Sequence, residues 1–376
     1  MPLVKVRLAG VAAAALLLAG PAHAGAPAVS ARAFLVVNPA TGEVLAQHRA
    51  WARVPIASIT KLMTVLVTLD HARWNDVVRV RKDAAEVGES TINLRAGERI
   101  TVGDLVEGAL IQSANDAADA LADYVGHGDT RAFVNLMNQK AADLGLERTH
   151  FTRPDGLDAP GHYSTALDVT RLAEAAMRLP RVRQVVRLRT DSIAGGRRLY
   201  TWNDLLGVFR GLYGVKTGHT AAAGWCEVAA VRRDGVTLYT TVLGSPTRSQ
   251  RNTDLASLLR WGISRYRSVW VVQPRRVYVS AAVGYGKGRV PLVVTAGASR
   301  SVRVDRPLVE RIVAPEALSL PVRRGQQVGE VRVYSGKRLV ARRALVAGRS
   351  VSRPGFGGRV GFYASRTFHH IGSWFS

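Results

Sequence analysis

An Asp-Gly pair sits between two apolar runs in the second half of the chain. Glu227 to Val231 precedes Asp234-Gly235, and Leu238 to Leu243 follows it. Asp-Gly readily takes the positive φ angles of a tight turn, so the two runs predict a β-hairpin. A hairpin commits this part of the chain to an antiparallel sheet. Asp254 to Tyr266 predicts a helix packing back on that sheet. Near the start, Ala33 to Val37 and Glu43 to His48 flank Asn38-Pro39-Ala40-Thr41-Gly42 and predict another hairpin.

Helical patterns fill the space between. Ser58 to His71 carries Leu62, Val65, Leu66 and Leu69 at the spacing of one buried face. Val102 to Gln112 and Asn115 to Val125 read as two helices with a break at Ser113-Ala114. Arg131 to Leu144 and Ala166 to Arg178 read as two more. An antiparallel sheet flanked by helices, with a helical insert, is an α+β arrangement. Composition changes near Pro274. From Arg276 to Val346 the chain is Val-rich, with short alternating runs separated by Gly and Ser turns, which predicts a small all-β domain of about 75 residues.

The two ends read differently again. Lys5 and Arg7, the apolar run Leu8 to Leu18 and Ala22-His23-Ala24 form a cleavable export signal over residues 1–24. From Pro354 a helical wheel gathers Phe356, Val360, Tyr363, Phe368, Ile371 and Trp374 on one side. Arg359, Arg366 and His369 fall on the other, the pattern of a helix lying in a membrane interface. The expected organisation is a signal over 1–24, a main domain over 25–273, a β domain over 274–350 and an amphipathic tail over 351–376. The protein is expected outside the cytoplasm, peripheral on the outer (periplasmic) face of the membrane.

A formal charge of +24 raises the question of a polyanionic partner. Export argues against nucleic acid and favours an anionic membrane surface or wall polymer. The charge reads as scattered, the mark of a solvated basic surface. Cys226 is the one cysteine, so no internal disulfide forms, and its apolar neighbours predict a buried side chain.

Seven lysines stand against forty-five arginines. Lysine can surrender its proton when burial disfavours the cation, whereas arginine stays charged. Lys61 follows Ser58 by three residues, and positions three apart share a helix face. At a helix mouth the pair can work as nucleophile and base. Ser113 and Asn115 flank a predicted helix break, where a hydroxyl can relay a proton and an amide can bind both Lys and a carbonyl. Lys216-Thr217-Gly218-His219 follows Val215 on a predicted edge strand. Its cation and hydroxyl suit a carboxylate, and Gly218 lets backbone approach closely. The N–H groups of His219 and Ser58 are candidates for an oxyanion hole. Taken alone, each motif also reads as ordinary helix capping or a solvated cation.

In their order, the motifs resemble those of the low-molecular-mass penicillin-binding proteins, the serine-type D-alanyl-D-alanine carboxypeptidases. The resemblance extends to Ala57 through Thr64, Ile111 through Ala117, Gly156 through Ser164, Asn203 through Leu206 and Gly214 through Thr220. It implies a β-lactamase/transpeptidase-like domain followed by a small β domain and a membrane anchor. It further implies attack by Ser58 on the terminal D-Ala–D-Ala bond of a peptidoglycan stem peptide, with Lys61 as base. Ser113 and Asn115 would help return a proton. Lys216 and Thr217 would hold the terminal carboxylate, with Arg251 assisting. β-Lactams would acylate Ser58, and no metal or organic cofactor is implied. The chain departs from the pattern at Tyr213, Trp202 and Ala114. Two related activities compete: a D,D-endopeptidase acting on cross-links, and a β-lactamase. The latter's Glu-x-x-Leu-Asn segment is missing from the sequence.

Overall fold

A computed structural model describes residues 25–357 together with residues 15, 16 and 360. Most of the export signal (1–24) and most of the amphipathic tail (351–376) therefore lie outside the described residues. The chain divides into two compact units, one spanning Ala24–Ser264 and the other beginning at Arg265.

The first unit is built on a five-stranded antiparallel sheet. Its strands are β1 (Ala33–Asn38), β2 (Glu43–His48), β3 (Leu212–Thr220), β4 (Gly224–Arg233) and β5 (Val236–Ser245), in the order β2-β1-β5-β4-β3. Both expected hairpins are present, β1 with β2 and β4 with β5. Every residue of β1 is buried, and β3 lies at an edge.

The helices that position the site are α1 (Lys61–His71), α2 (Val102–Glu107), α3 (Asn115–Val125), α4 (Thr130–Asp143), α5 (Ala166–Ala176) and α6 (Arg248–Ser264). α5 and α6 pack on β5, while α1 touches α3, α4 and α5. α6 starts earlier than the apolar pattern indicated. Its first turn, Arg248-Ser-Gln-Arg251, is polar and hides the helix from a periodicity reading.

Local backbone geometry places the nucleophile segment. Ser58 lies in a single 3-10 turn, Ala57–Thr60, and the α-helix starts at Lys61 rather than at Ser58. Ile56, Ile59, Leu62 and Met63 are fully buried and pin the turn on both sides. Gly156 sits at φ +84°, and a Cβ there would lie 2.2 Å from the Ala57 carbonyl oxygen. Gly156→Ala is therefore expected to destabilise the protein by about 2–3 kcal/mol, read by thermal or denaturant unfolding. A variant within about 0.5 kcal/mol of the parent would show that the loop gives way instead. On β3, a Cβ at Gly218 would lie 2.9 Å from Ile56 O and 3.0 Å from Ser58 N, so the bare backbone is what lets strand and turn meet.

The break between α2 and α3 falls where it was expected. A π-helical turn over Gly108–Gln112 ends at Ser113, which adopts the left-handed conformation at φ 64°, ψ 31°. π turns and left-handed non-glycine residues concentrate at functional sites.

The second unit is all β. Its strands are β6 (Tyr266–Val272), β7 (Val277–Val283), β8 (Arg289–Val293), β9 (Ala298–Arg303), β10 (Leu308–Val313), β11 (Gln327–Ser335) and β12 (Arg338–Ala347). β6 pairs with β9, and the larger sheet runs β10-β11-β12-β8-β7 with a two-residue strand at each end. Val290, Leu292, Val331 and Leu345 form a fully buried core. Tyr266 opens β6 instead of closing the preceding helix, and β6 precedes the composition change at Pro274. Among the described residues no helix is long and apolar enough to cross a membrane.

Candidate active site

The 3-10 turn, the Ser113 corner and the β3 edge meet at one cleft of about 360 Å³. Ser58, Ser113, Asn115, Thr217, Gly218, His219 and Arg251 all line it, while Lys61 and Lys216 lie in its floor as side chains 0% and 2% exposed. The structure thus brings together the nine candidate site residues of the sequence.

Lys61 is the hub. Its Nζ donates to Ser58 Oγ at 2.9 Å, to Asn115 Oδ1 at 2.7 Å and to the carbonyl oxygen of Asp155 at 2.6 Å. Three acceptors match the three N–H bonds of an ammonium. In the neutral amine one hydrogen is gone, and the lone pair can take the Ser58 proton along the 2.9 Å contact. Burial pushes the Lys61 ammonium down to about 8, opposed by the carboxylates of Asp155 and Asp119. At neutral pH about a tenth of the amine is then free.

Asn115 is fixed by a bond from its Nδ2 to Gly88 O at 2.9 Å, which aims its oxygen at Lys61. Across the cleft Lys216 Nζ donates to Ser113 Oγ at 2.7 Å and to Thr217 O at 2.9 Å. Burial drives the Lys216 ammonium well down, and the charge of Lys61 adds to this. Glu227, the strand partner of Thr217, opposes that shift. Ser113 Oγ thus faces the cleft with a lysine donor behind it, an arrangement that can relay a proton.

Arg251 is 1% exposed, with Nη2 3.1 Å from Asp204 Oδ2 and Nε 3.2 Å from Glu227 Oε2. The Glu227 contact is an ion pair without hydrogen-bond alignment, since both Glu227 oxygens lack a hydrogen-bond partner among the described residues. Burial raises the Glu227 carboxyl to about 7, with Arg251 opposing. The guanidinium lies 5.8 Å from the Trp225 ring centre. His219 stacks on the same ring at 4.0 Å, while the Ser58 hydroxyl is bonded to Lys61, so the imidazole does not take the place of a base.

Four residues in or under the cleft escaped the sequence reading: Glu89, Ser90, Trp225 and Asp155. Asp155 is itself clamped by Arg153 at 2.5 and 2.6 Å and by Leu157 N at 2.9 Å. Its contribution to Lys61 is a backbone carbonyl, which any residue type can supply. The Asp155-Gly156 turn pair was the one available signal. Trp202 was noted only as a departure, yet it lines the cleft and donates Nε1 to Gln112 O at 2.9 Å.

A cleft serine bonded to a buried lysine, facing a Ser-x-Asn corner and a Lys-Thr-Gly strand, defines a serine acyl-transfer enzyme. The family model for D-alanyl-D-alanine carboxypeptidase matches residues 21–247. D-alanyl-D-alanine carboxypeptidase DacC of Escherichia coli K12 is 35% identical over 93% of this chain and 92% of its own length. Among solved structures, the D-alanyl-D-alanine carboxypeptidase DacD from Francisella tularensis superposes with a TM-score of 0.63 at 26% identity, covering 90% of this chain and 96% of that one. Penicillin binding protein 5 from Haemophilus influenzae gives the same TM-score and identity over 87% and 99%. The chain belongs to the D-alanyl-D-alanine carboxypeptidase family.

Proposed function

We propose that this protein removes the terminal D-Ala from peptidoglycan stem peptides through an acyl-enzyme on Ser58, and that β-lactams trap the same serine. The reading is carried by one observation: Lys61 touches the nucleophile and Asn115 together, with Lys216 and Ser113 bonded across the cleft. Ser58 Oγ loses its proton to Lys61 and attacks the carbonyl between the two D-alanines. The N–H groups of Ser58 and His219 receive the developing oxyanion. Ser113 and Asn115 guide a proton to the departing D-Ala nitrogen. Lys216, Thr217 and Arg251 hold the departing carboxylate. Water then cleaves the ester, with Lys61 again as base. Family membership, conferred by the matched model and the relatives, supports this substrate. Release of D-Ala from a pentapeptide, blocked by prior treatment with penicillin, is the direct test.

The export signal over 1–24, the anchor over 351–376 and a periplasmic, membrane-peripheral location belong to the same proposal. They rest on the charge and apolar patterns of those segments. A chain ending at Val351 is expected to hydrolyse pentapeptide as fast as the parent and to lose its affinity for uncharged phosphatidylcholine vesicles. Retained binding to those vesicles would remove the anchor from the proposal.

A further inference from the structure

Positive charge is not scattered as the sequence read. Residues 265–357 carry 19 Lys and Arg against 4 Asp and Glu, which is +15 of the whole +24. Residues 25–264 carry 29 against 24.

Strand register concentrates part of this charge in one row. Arg311 on β10 stands opposite Arg332 on β11, and Arg332 stands opposite Arg342 on β12. Directly opposed residues share one face of a sheet. Val331 and Val333, which flank Arg332, are 0% and 2% exposed and occupy the core face, so the arginine row points outward. The Arg332 and Arg342 side chains are 40% and 63% exposed. Glu330 accepts from Arg332 and Arg342 together and is the one carboxylate bonded to the row among the described residues. Arg311 lies 5.0 Å from the Tyr334 ring centre.

Like charges placed opposite one another weaken a sheet. A row that keeps three guanidinium groups against one carboxylate is relieved by anions from outside. Apolar groups flank the row on the same face. Tyr334 opposes Val309 and Leu339, while Val313 opposes Glu330, and Val313 and Leu339 are 39% and 45% exposed. A soluble polyanion has nothing to offer these side chains. A headgroup layer offers phosphates to guanidinium groups and an interface to Tyr, Val and Leu.

We propose that this outer sheet face docks on an anionic phospholipid bilayer, with Arg311, Arg332 and Arg342 on lipid phosphates. The docking is independent of the catalytic reading and of the amphipathic tail. The test uses the full chain, a triple Gln variant at 311, 332 and 342, and a charge-matched control. In the control, the exposed Arg73, Arg187 and Arg210 of the first unit become Gln. Co-sedimentation compares phosphatidylcholine vesicles with and without phosphatidylglycerol, and soluble polyphosphate serves as competitor.

The row variant is expected to lose on the order of tenfold or more in affinity for phosphatidylglycerol vesicles, and the control no more than about twofold. Both should bind phosphatidylcholine like the parent. Row-variant binding equal to the parent's, or an equal loss in the control, overturns the proposal. So does displacement by polyphosphate at matched phosphate concentration, which would assign the face to a soluble polymer. Circular dichroism reports folding of each variant. If the triple variant does not fold, Arg342→Gln alone, more exposed than Arg332, should still lose about threefold or more.

Discussion

Ser58→Ala is expected to lower D-Ala release from a pentapeptide by about 10⁴-fold or more and to abolish covalent labelling by penicillin. Two neighbouring hydroxyls are already engaged elsewhere. Ser113 Oγ is bonded to the second lysine, on the opposite wall. Thr60 Oγ1 is engaged with His162 Nε2 at 2.8 Å beneath the turn. The substitution removes one acceptor from Lys61 and leaves those from Asn115 and Asp155 in place. Stability should therefore change by no more than about 1 kcal/mol. Intact-mass and peptide-mass spectrometry after exposure to labelled penicillin separate the outcomes. In the parent the adduct should sit on the peptide containing Ser58. An adduct of equal stoichiometry in Ser58→Ala would mean that another residue is the nucleophile.

Which side chains meet in the cleft was largely legible in the sequence, because that information resides in residue type. A chain so rich in arginine places lysine at positions 61 and 216, and both of those lysines are buried at the cleft. Ser113 and Asn115 announced a helix break, and the left-handed Ser113 supplies it. What stayed hidden depends on register and backbone. The Asp155 carbonyl had no signal in the sequence beyond the Asp155-Gly156 turn pair. The Glu227–Arg251 contact joins a strand to the first turn of a helix whose polar start masked it. The arginine row exists only once three strands are aligned, since Arg311, Arg332 and Arg342 share no local spacing. Strand β6 was lost because Tyr266 followed a helical pattern without a Gly or Pro stop between them. For the carbonyl, the ion pair and the arginine row the missing information is a pairing between distant segments, and periodicity reports only on neighbours.

Lys61→Arg should be almost as damaging as loss of the serine, and it isolates the proton from the charge. Arginine keeps a cation in the cleft but cannot accept the Ser58 proton. Loss of a positioned base costs about 10²–10⁴-fold. The site is also closed on all sides at 0% exposure, with three acceptors set for a compact ammonium, so the broader guanidinium displaces Ser58 or Asn115. A loss of about 10³-fold or more in the second-order rate of acylation is the expected result. The pH profile carries the decisive part. Burial lowers the Lys61 ammonium to about 8, and the reactive form is the neutral amine. Acylation by the parent should therefore climb close to tenfold per pH unit below about 8 and level off above it. The residual rate of Lys61→Arg should lack that rise. A parent profile that is flat between pH 6 and about 9, or a variant that keeps the parent's slope, would place the base elsewhere. Lys216, with its own ammonium driven down by burial and by its neighbour's charge, would then be the group to test.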